Sequence, residues 1–358
     1  MFLLLVLCFA GTGAFDDALR AGIEALNKND LNVAREQLES ASKLRPDNGF
    51  VWVALAETYH KQKHESEAQA AAARAEKFAH SDPAALRGLA AYYSETGNFA
   101  KSARALERYS ISAPNDGDAA VQTAINYARA GEPEPALRAA KRAAKIRPYE
   151  EATYFPIAEE LLKQQKFDAA LEVSQDGLQV FSKSAQLELA RGVSYYGLRR
   201  FPQAIEAFLR TIEDDPEVEQ PYMFLGRMLD VAEAKLPDIT AAFRKFAAEN
   251  PGNPLASFEY AKALALSGGD GKEVEALLRH SLELKPNSWE SHYELGLALE
   301  RRQSFDEAAR EVEQSVRLNP DGPVLHYRLA RLYDRLGRTA EATEQRAIHA
   351  KLTAESHK

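Results

Sequence analysis

His60 and His64 stand four residues apart with Glu57 and Glu65 beside them, residue types that could hold a divalent metal if they shared one helical face. The repeat register described below puts His60 near the end of a helix and His64 in the following turn, which argues against a metal site. The glycine-rich stretch 267–271 (SGGDG) lacks the lysine and the strand-to-helix setting of a phosphate-cradling loop, and reads as a flexible turn between helices. Glu213, Asp214, Asp215, Glu217 and Glu219 crowd together, yet nothing separates two of them into an acid and a base, so a solvated turn accounts for them. Arg138, Lys141, Arg142, Lys145 and Arg147 cluster on one helix as an exposed face, with an acidic partner as the second reading. His292 and His326 fall at equivalent places in consecutive units. Each is expected to pack with a hydrogen-bond partner, or to form a pH-sensitive contact if the two touch. No nucleophile, acid pair or metal set converges, so the chain is expected to be non-enzymatic and without cofactor.

The elements that position these residues are set by a beat of prolines. Pro114 and Pro148 are 34 apart, the step from Pro46 to Pro114 is twice that, and the same spacing runs through Pro216, Pro251, Pro286 and Pro320 with one extra residue in each of two intervals. His80 and Ser182 fill the slots without proline. Fixed self-similarity at this period means a solenoid. Counting back from each slot gives units beginning at Phe15, Gly49, Pro83, Gly117, Glu151, Ala185, Glu219, Pro254, Trp289 and Pro323, the last ending near Ser356. The eighth residue of each is small, as at Gly22, Ala56, Gly192, Gly226 and Gly296, where two helices must cross closely. The eleventh is Tyr or Leu in most units and the twentieth is commonly Ala, so large residues oppose small ones. Within residues 97–114, Phe99, Ala103, Leu106 and Ile111 recur at helical spacing, and each unit reads as two short amphipathic helices that bury their stripes only by stacking. Thr339 onward, with Arg346 and His349 where earlier copies are apolar, reads as a capping helix and tail over 339–358.

Trp52, Leu55, Ala56, Tyr59 and Ala68, with Tyr222, Leu225, Gly226 and Leu229, closely resemble the tetratricopeptide repeat. The resemblance covers nearly the whole chain. It implies an all-α, right-handed superhelical solenoid of antiparallel helix pairs over 15–356, with a concave groove lined by the first helix of each unit. By that register Phe155, Leu162, Leu189, Val193, Tyr196, Met223 and Phe224 form an apolar floor, able to take an extended or helical peptide or to pack between neighbouring helices. Tyr293, Glu294, Leu297, Glu300, Tyr327, Arg328, Arg331 and Asp334 make the last part of the groove charged and aromatic. The family's carboxylate clamp for chaperone C-termini is not matched, Arg328 and Arg331 being a partial echo. Pro156, at the sixth residue of a first helix, is expected to kink the fifth unit.

With 358 residues, 45% hydrophobic and 27% charged, the composition is that of a folded protein, and the net charge of −8 argues against general nucleic-acid affinity. Residues 1–14 place an uncharged apolar run before small residues and read as a secretory signal peptide, too short for a stable membrane span. Cys8 is the single cysteine, and Leu7 before it argues against lipidation. The expectation is a periplasmic or secreted scaffold of the bacterial envelope that binds a protein or peptide in its groove. The alternatives are a self-associating, dimeric solenoid and an accessory factor of polysaccharide assembly or modification.

Overall fold

The computed structural model describes residues 13–356, and every regular element among them is a helix. The signal segment expected at 1–14 falls almost wholly outside them. The described residues form two compact units that divide between Lys183 and Ser184. The first holds α1 (Ala14–Asn27), α2 (Leu31–Leu44), α3 (Gly49–Lys61), α4 (Glu65–Phe78), α5 (Pro83–Glu95), α6 (Phe99–Ser112), α7 (Gly117–Arg129), α8 (Pro133–Ile146), α9 (Phe155–Lys163) and α10 (Phe167–Val180). The second holds α11 (Ala185–Gly197), α12 (Phe201–Asp214), α13 (Gln220–Arg227), α14 (Leu236–Glu249), α15 (Pro254–Leu266), α16 (Gly271–Leu284), α17 (Trp289–Arg301), α18 (Phe305–Leu318), α19 (Pro323–Arg335) and α20 (Thr339–Ser356). Odd and even helices pair as hairpins, except that α13 packs on α12 and α15 more than on α14, and within each unit the odd helices also touch one another, as α3 with α5 and α13 with α15. None of these helices is long and apolar enough to cross a membrane.

The proline beat has a local cause. Proline cannot continue the preceding helix, and two residues beyond six of the nine slots stands a side chain that caps the next one. Asn48 accepts from Val51 N at 3.0 Å and Asp116 from Ala119 N at 3.0 Å, while Asp82, Ser184, Asn253 and Ser288 cap in the same way. At five slots the carbonyl is satisfied by the side chain six residues further on. Trp52 Nε1 donates to Pro46 O at 2.8 Å, Tyr154 to Pro148 O at 3.1 Å, Tyr222 to Pro216 O at 3.2 Å, His292 to Pro286 O at 3.0 Å and His326 to Pro320 O at 2.8 Å. Even the slot without proline at His80 finds a donor, Arg108, at 2.8 Å.

Between the two helices of nine of the ten hairpins the chain turns through one left-handed residue, whereas α13 and α14 are joined by two 3-10 turns. Four of these residues are glycine: Gly97, Gly131, Gly268 and Gly337. Asn29, Lys63, Gln165, Arg199 and Gln303 adopt the same region at φ of 60°, 63°, 56°, 58° and 64°, which costs an L side chain about 1–2 kcal/mol.

Where the helices of a hairpin cross, a Cβ on Gly22 would meet Leu38 at 2.6 Å, one on Gly192 would meet Phe208 at 2.6 Å, and one on Gly296 would meet Val312 at 2.5 Å. The small residue is therefore dictated by the large one opposite. In the second unit a single apolar core runs from Ala204 to Ala342 through Phe208, Tyr222, Phe243 and Leu295; in the first, the main cluster runs from Phe15 to Ala119.

Two hairpins depart from the pattern. Pro156 does not kink a helix: residues 151–153 form a 3-10 turn and α9 begins only at Phe155, with the proline in its first turn, where the missing N–H has no partner to lose. Leu229 lies in a second 3-10 turn rather than in a first helix, because α13 ends at Arg227, although its side chain stays buried. At the chain's end, Arg346 pairs with Asp334 at 2.6 Å and His349 Nδ1 bonds Pro323 O at 2.9 Å, so the polar residues of α20 tie it to α19.

Candidate groove on the first helices

The faces of the odd helices turned away from their hairpin partners form the candidate site. In the first unit, α9 carries Phe155 and Leu162, both half-buried. The same unit holds a cavity of about 490 Å³ among α5, α6 and α7, with Arg87, Gln122 and Arg129 in its wall. Its polar groups are already engaged: Gln122 donates to Asn126 at 3.2 Å, Asn126 to Ser102 at 2.8 Å, and Ser102 to Ala90 O at 2.6 Å.

In the second unit, Leu189, Val193 and Tyr196 on α11 are half-buried and packed against the core. Phe224 lies between the ring of Phe208, stacked at 4.9 Å, and that of Tyr196, edge-on at 5.0 Å. Much of its surface therefore serves the stack between hairpins. Met223 beside it remains 41% exposed. Met223 opens a cavity of about 510 Å³ that continues across Phe258 on α15 and Tyr293 on α17 to Val324 on α19, itself 51% exposed. Four consecutive first helices thus each supply at least one apolar side chain, α15 adding Leu255 and α17 Trp289.

The wall of that cavity is charged. Glu259 is buried and meets Lys262 at 3.0 Å; Lys262 Nζ also donates to Gly226 O at 2.9 Å. A Cβ at Gly226 would collide with the Glu259 carboxylate, so the glycine makes room for the acid. Burial pushes the Glu259 carboxyl above its ordinary range against the pull of Lys262. Glu294 on α17 is likewise pushed up by burial, with Lys262, Arg301 and Arg328 opposing. Phe258, Glu259 and Lys262 are absent from the sequence-based expectation, although the first two occupy the eighth unit's copies of the positions that marked Met223 and Phe224, and Lys262 that of Val193.

Tyr327 is 46% exposed, with Arg331 6.0 Å over its ring and His349 at 5.5 Å. Arg328 pairs with Glu300 at 3.2 Å, and Arg335 reaches the same carboxylate at 3.7 Å. His60 bonds Glu65 at 3.0 Å, while His64 precedes α4 and is separated from α3 by the left-handed Lys63, so the two imidazoles do not share a helix. His292 Nδ1 meets Glu311 at 2.7 Å and His326 Nδ1 meets Gln345 at 2.7 Å, each ring held inside its own hairpin.

These features define an all-α array of stacked helix hairpins whose first helices present an open, mixed apolar and charged face. The tetratricopeptide repeat profile matches residues 155–219, 189–234, 272–323 and 293–351, and over these stretches the chain carries tetratricopeptide repeats. Among solved structures it is similar to YrrB, described as a TPR protein with an unusual peptide-binding site, at 17% identity over 53% of this chain and 96% of that one, with a TM-score of 0.44. It is also similar to yeast Tom70, at 17% identity over 94% and 85% of the two chains, with a TM-score of 0.41. No curated protein matches the chain.

Proposed function

We propose that this protein is a non-catalytic scaffold that holds a peptide segment of a partner protein along α13, α15, α17 and α19. The observation that supports it is the run of Met223, Phe258, Tyr293 and Val324 around one open cavity, with Met223 and Val324 exposed although an apolar side chain gains about 1.5–3 kcal/mol on burial. In this reading all ten units are tetratricopeptide repeats, and the apolar segment before Phe15 directs the chain to the bacterial envelope.

The test places a photo-crosslinking amino acid at Met223, at Val324 or at Ile111, an exposed residue on α6, in cells producing the full chain. Adducts are expected from the first two positions and not from the third. Equal labelling at all three would remove the groove from consideration. The N-terminal residue of the protein recovered from the envelope fraction checks the location, and an intact Met1 in a cytoplasmic fraction counts against it.

A further inference from the structure

The charges around the 510 Å³ cavity are not evenly satisfied. Lys262 is committed to Glu259 and to the Gly226 carbonyl. Arg301 donates to Ala265 O at 3.3 Å and Arg328 to Glu300 at 3.2 Å. Arg227 and Lys285, the remaining cations of the lining, are exposed, and the Arg227 guanidinium stands 6.0 Å over Phe224. Glu294 is the exception. Half-buried in the wall, its carboxylate takes no hydrogen bond and no ion pair among the described residues. It feels Lys262, Arg301 and Arg328 only through longer-range attraction, while Asp230 repels it. A half-buried carboxylate that has lost part of its hydration and has no close donor is held at some cost, one that a donor entering the cavity reduces.

The surroundings specify that donor. Phe258 and Tyr293 line the same cavity as Glu294, and Met223 adds an adaptable apolar contact. Aromatic side chains beside an unsatisfied carboxylate complement a cation on an apolar stem: the stem lies along the rings and the head reaches the carboxylate. An anionic or purely aliphatic group would leave Glu294 unpaired or worsen its position.

Resting on the groove reading above, we propose that this cavity receives the arginine or lysine side chain of the bound partner segment, with Glu294 as its counter-charge. Glu294 is then a recognition residue rather than a structural one, and free protein bears its partial desolvation as a local cost.

The experiment uses the full chain and an array of heptapeptides with randomised flanks and a fixed central arginine, lysine, norleucine, glutamine or glutamate. Arginine- and lysine-centred peptides are expected to be retained about tenfold more strongly than norleucine-centred ones. In Glu294→Gln that ratio is expected to fall to near unity, with the thermal midpoint unchanged or raised. Equal retention of norleucine and arginine would overturn the inference and leave the groove standing, whereas retention of no peptide at all would count against both. A cationic preference that survives Glu294→Gln would overturn the assignment. So would a lowered midpoint or loss of folding in that variant, since either shows a structural carboxylate.

Discussion

The Tyr127 hydroxyl on α7 donates to Glu107 Oε2 on α6 at 2.7 Å, tying a first helix to the second helix of the hairpin before it. Tyr59 makes the same bond to Glu39 at 2.9 Å and Tyr333 to Glu313 at 2.8 Å, each across twenty residues. Burial, together with the neighbouring carboxylate, pushes the Tyr59 and Tyr333 phenols up to about 12 and that of Tyr127 upward as well. The bond is a repeated latch between hairpins. Tyr127→Phe keeps the ring and removes the donor, and because the carboxylate keeps access to water the cost is expected to be about 1 kcal/mol. Urea unfolding checks it, and a variant as stable as the parent would show the latch to be incidental.

In nine of the ten hairpins the turn between the paired helices is left-handed whether or not glycine occupies it, so glycine should be preferred where the chain has used something else. Gln303→Gly and Lys63→Gly are expected to raise stability by up to about 1 kcal/mol, the relief of φ strain being partly offset by the entropy of glycine in the unfolded chain. Gly97→Ala should lower it by about 1 kcal/mol even though its Cβ would meet nothing within 4 Å, because φ there is 76°. Thermal midpoints of the three variants decide the matter. Opposite signs would mean that the side chains of Gln303 and Lys63 contribute more than their backbones lose.

Where Pro46, Pro114, Pro251 and Pro286 are followed two residues on by Asn48, Asp116, Asn253 and Ser288, the helix break and the next helix start are both written in residue types, and α3, α7, α15 and α17 begin at the expected residue. Pro148 and Pro216 keep the beat but are followed by Glu150 and Val218, which provide no cap; α9 starts only at Phe155, and α13 starts at Gln220 and is cut short at its other end, at Arg227. The spacing records the period. It does not record whether the first N–H groups have an acceptor. The turns at Gly97, Gly131, Gly268 and Gly337 were equally legible, whereas Lys63, Gln165, Arg199 and Gln303 adopt the same conformation because the flanking helices pack only that way. In the groove, the family resemblance carried over by register pointed to Met223, Tyr293 and Tyr327. It could not tell that Phe208 stacks on Phe224, since a position number gives the direction of a side chain and not what covers it.

Gly192 lies on α11 where a Cβ would come 2.6 Å from the Phe208 ring, and Phe208 is fully buried. Both Gly192→Ala and Phe208→Leu should destabilise, the first by overpacking of about 1–3 kcal/mol, the second through a cavity. The double variant should recover much of the loss, because a smaller side chain at 208 admits the new methyl group. A double-mutant cycle in urea measures that coupling. Simple additivity would show that α11 and α12 separate freely at this crossing.

His292 sets the pH dependence of the ninth hairpin. Burial alone would lower its basicity, but the Glu311 carboxylate at 2.7 Å and the Pro286 carbonyl at 3.0 Å both accept from the ring and outweigh burial, so its pKa is raised despite Arg317. Because the folded-state value lies above the unfolded one of about 6.5, the folded protein binds the proton more tightly. The contribution to stability is therefore fully present below pH of about 6.5 and is lost as pH rises through the folded-state value. Glu311→Gln removes the charge that holds the proton and should flatten this part of the profile. Unfolding free energies at pH 6 and 8.5 for the two proteins provide the check: the gap between parent and variant is expected to be larger at the lower pH. A gap that widens toward high pH would mean that the ring is held neutral, with one nitrogen left unbonded.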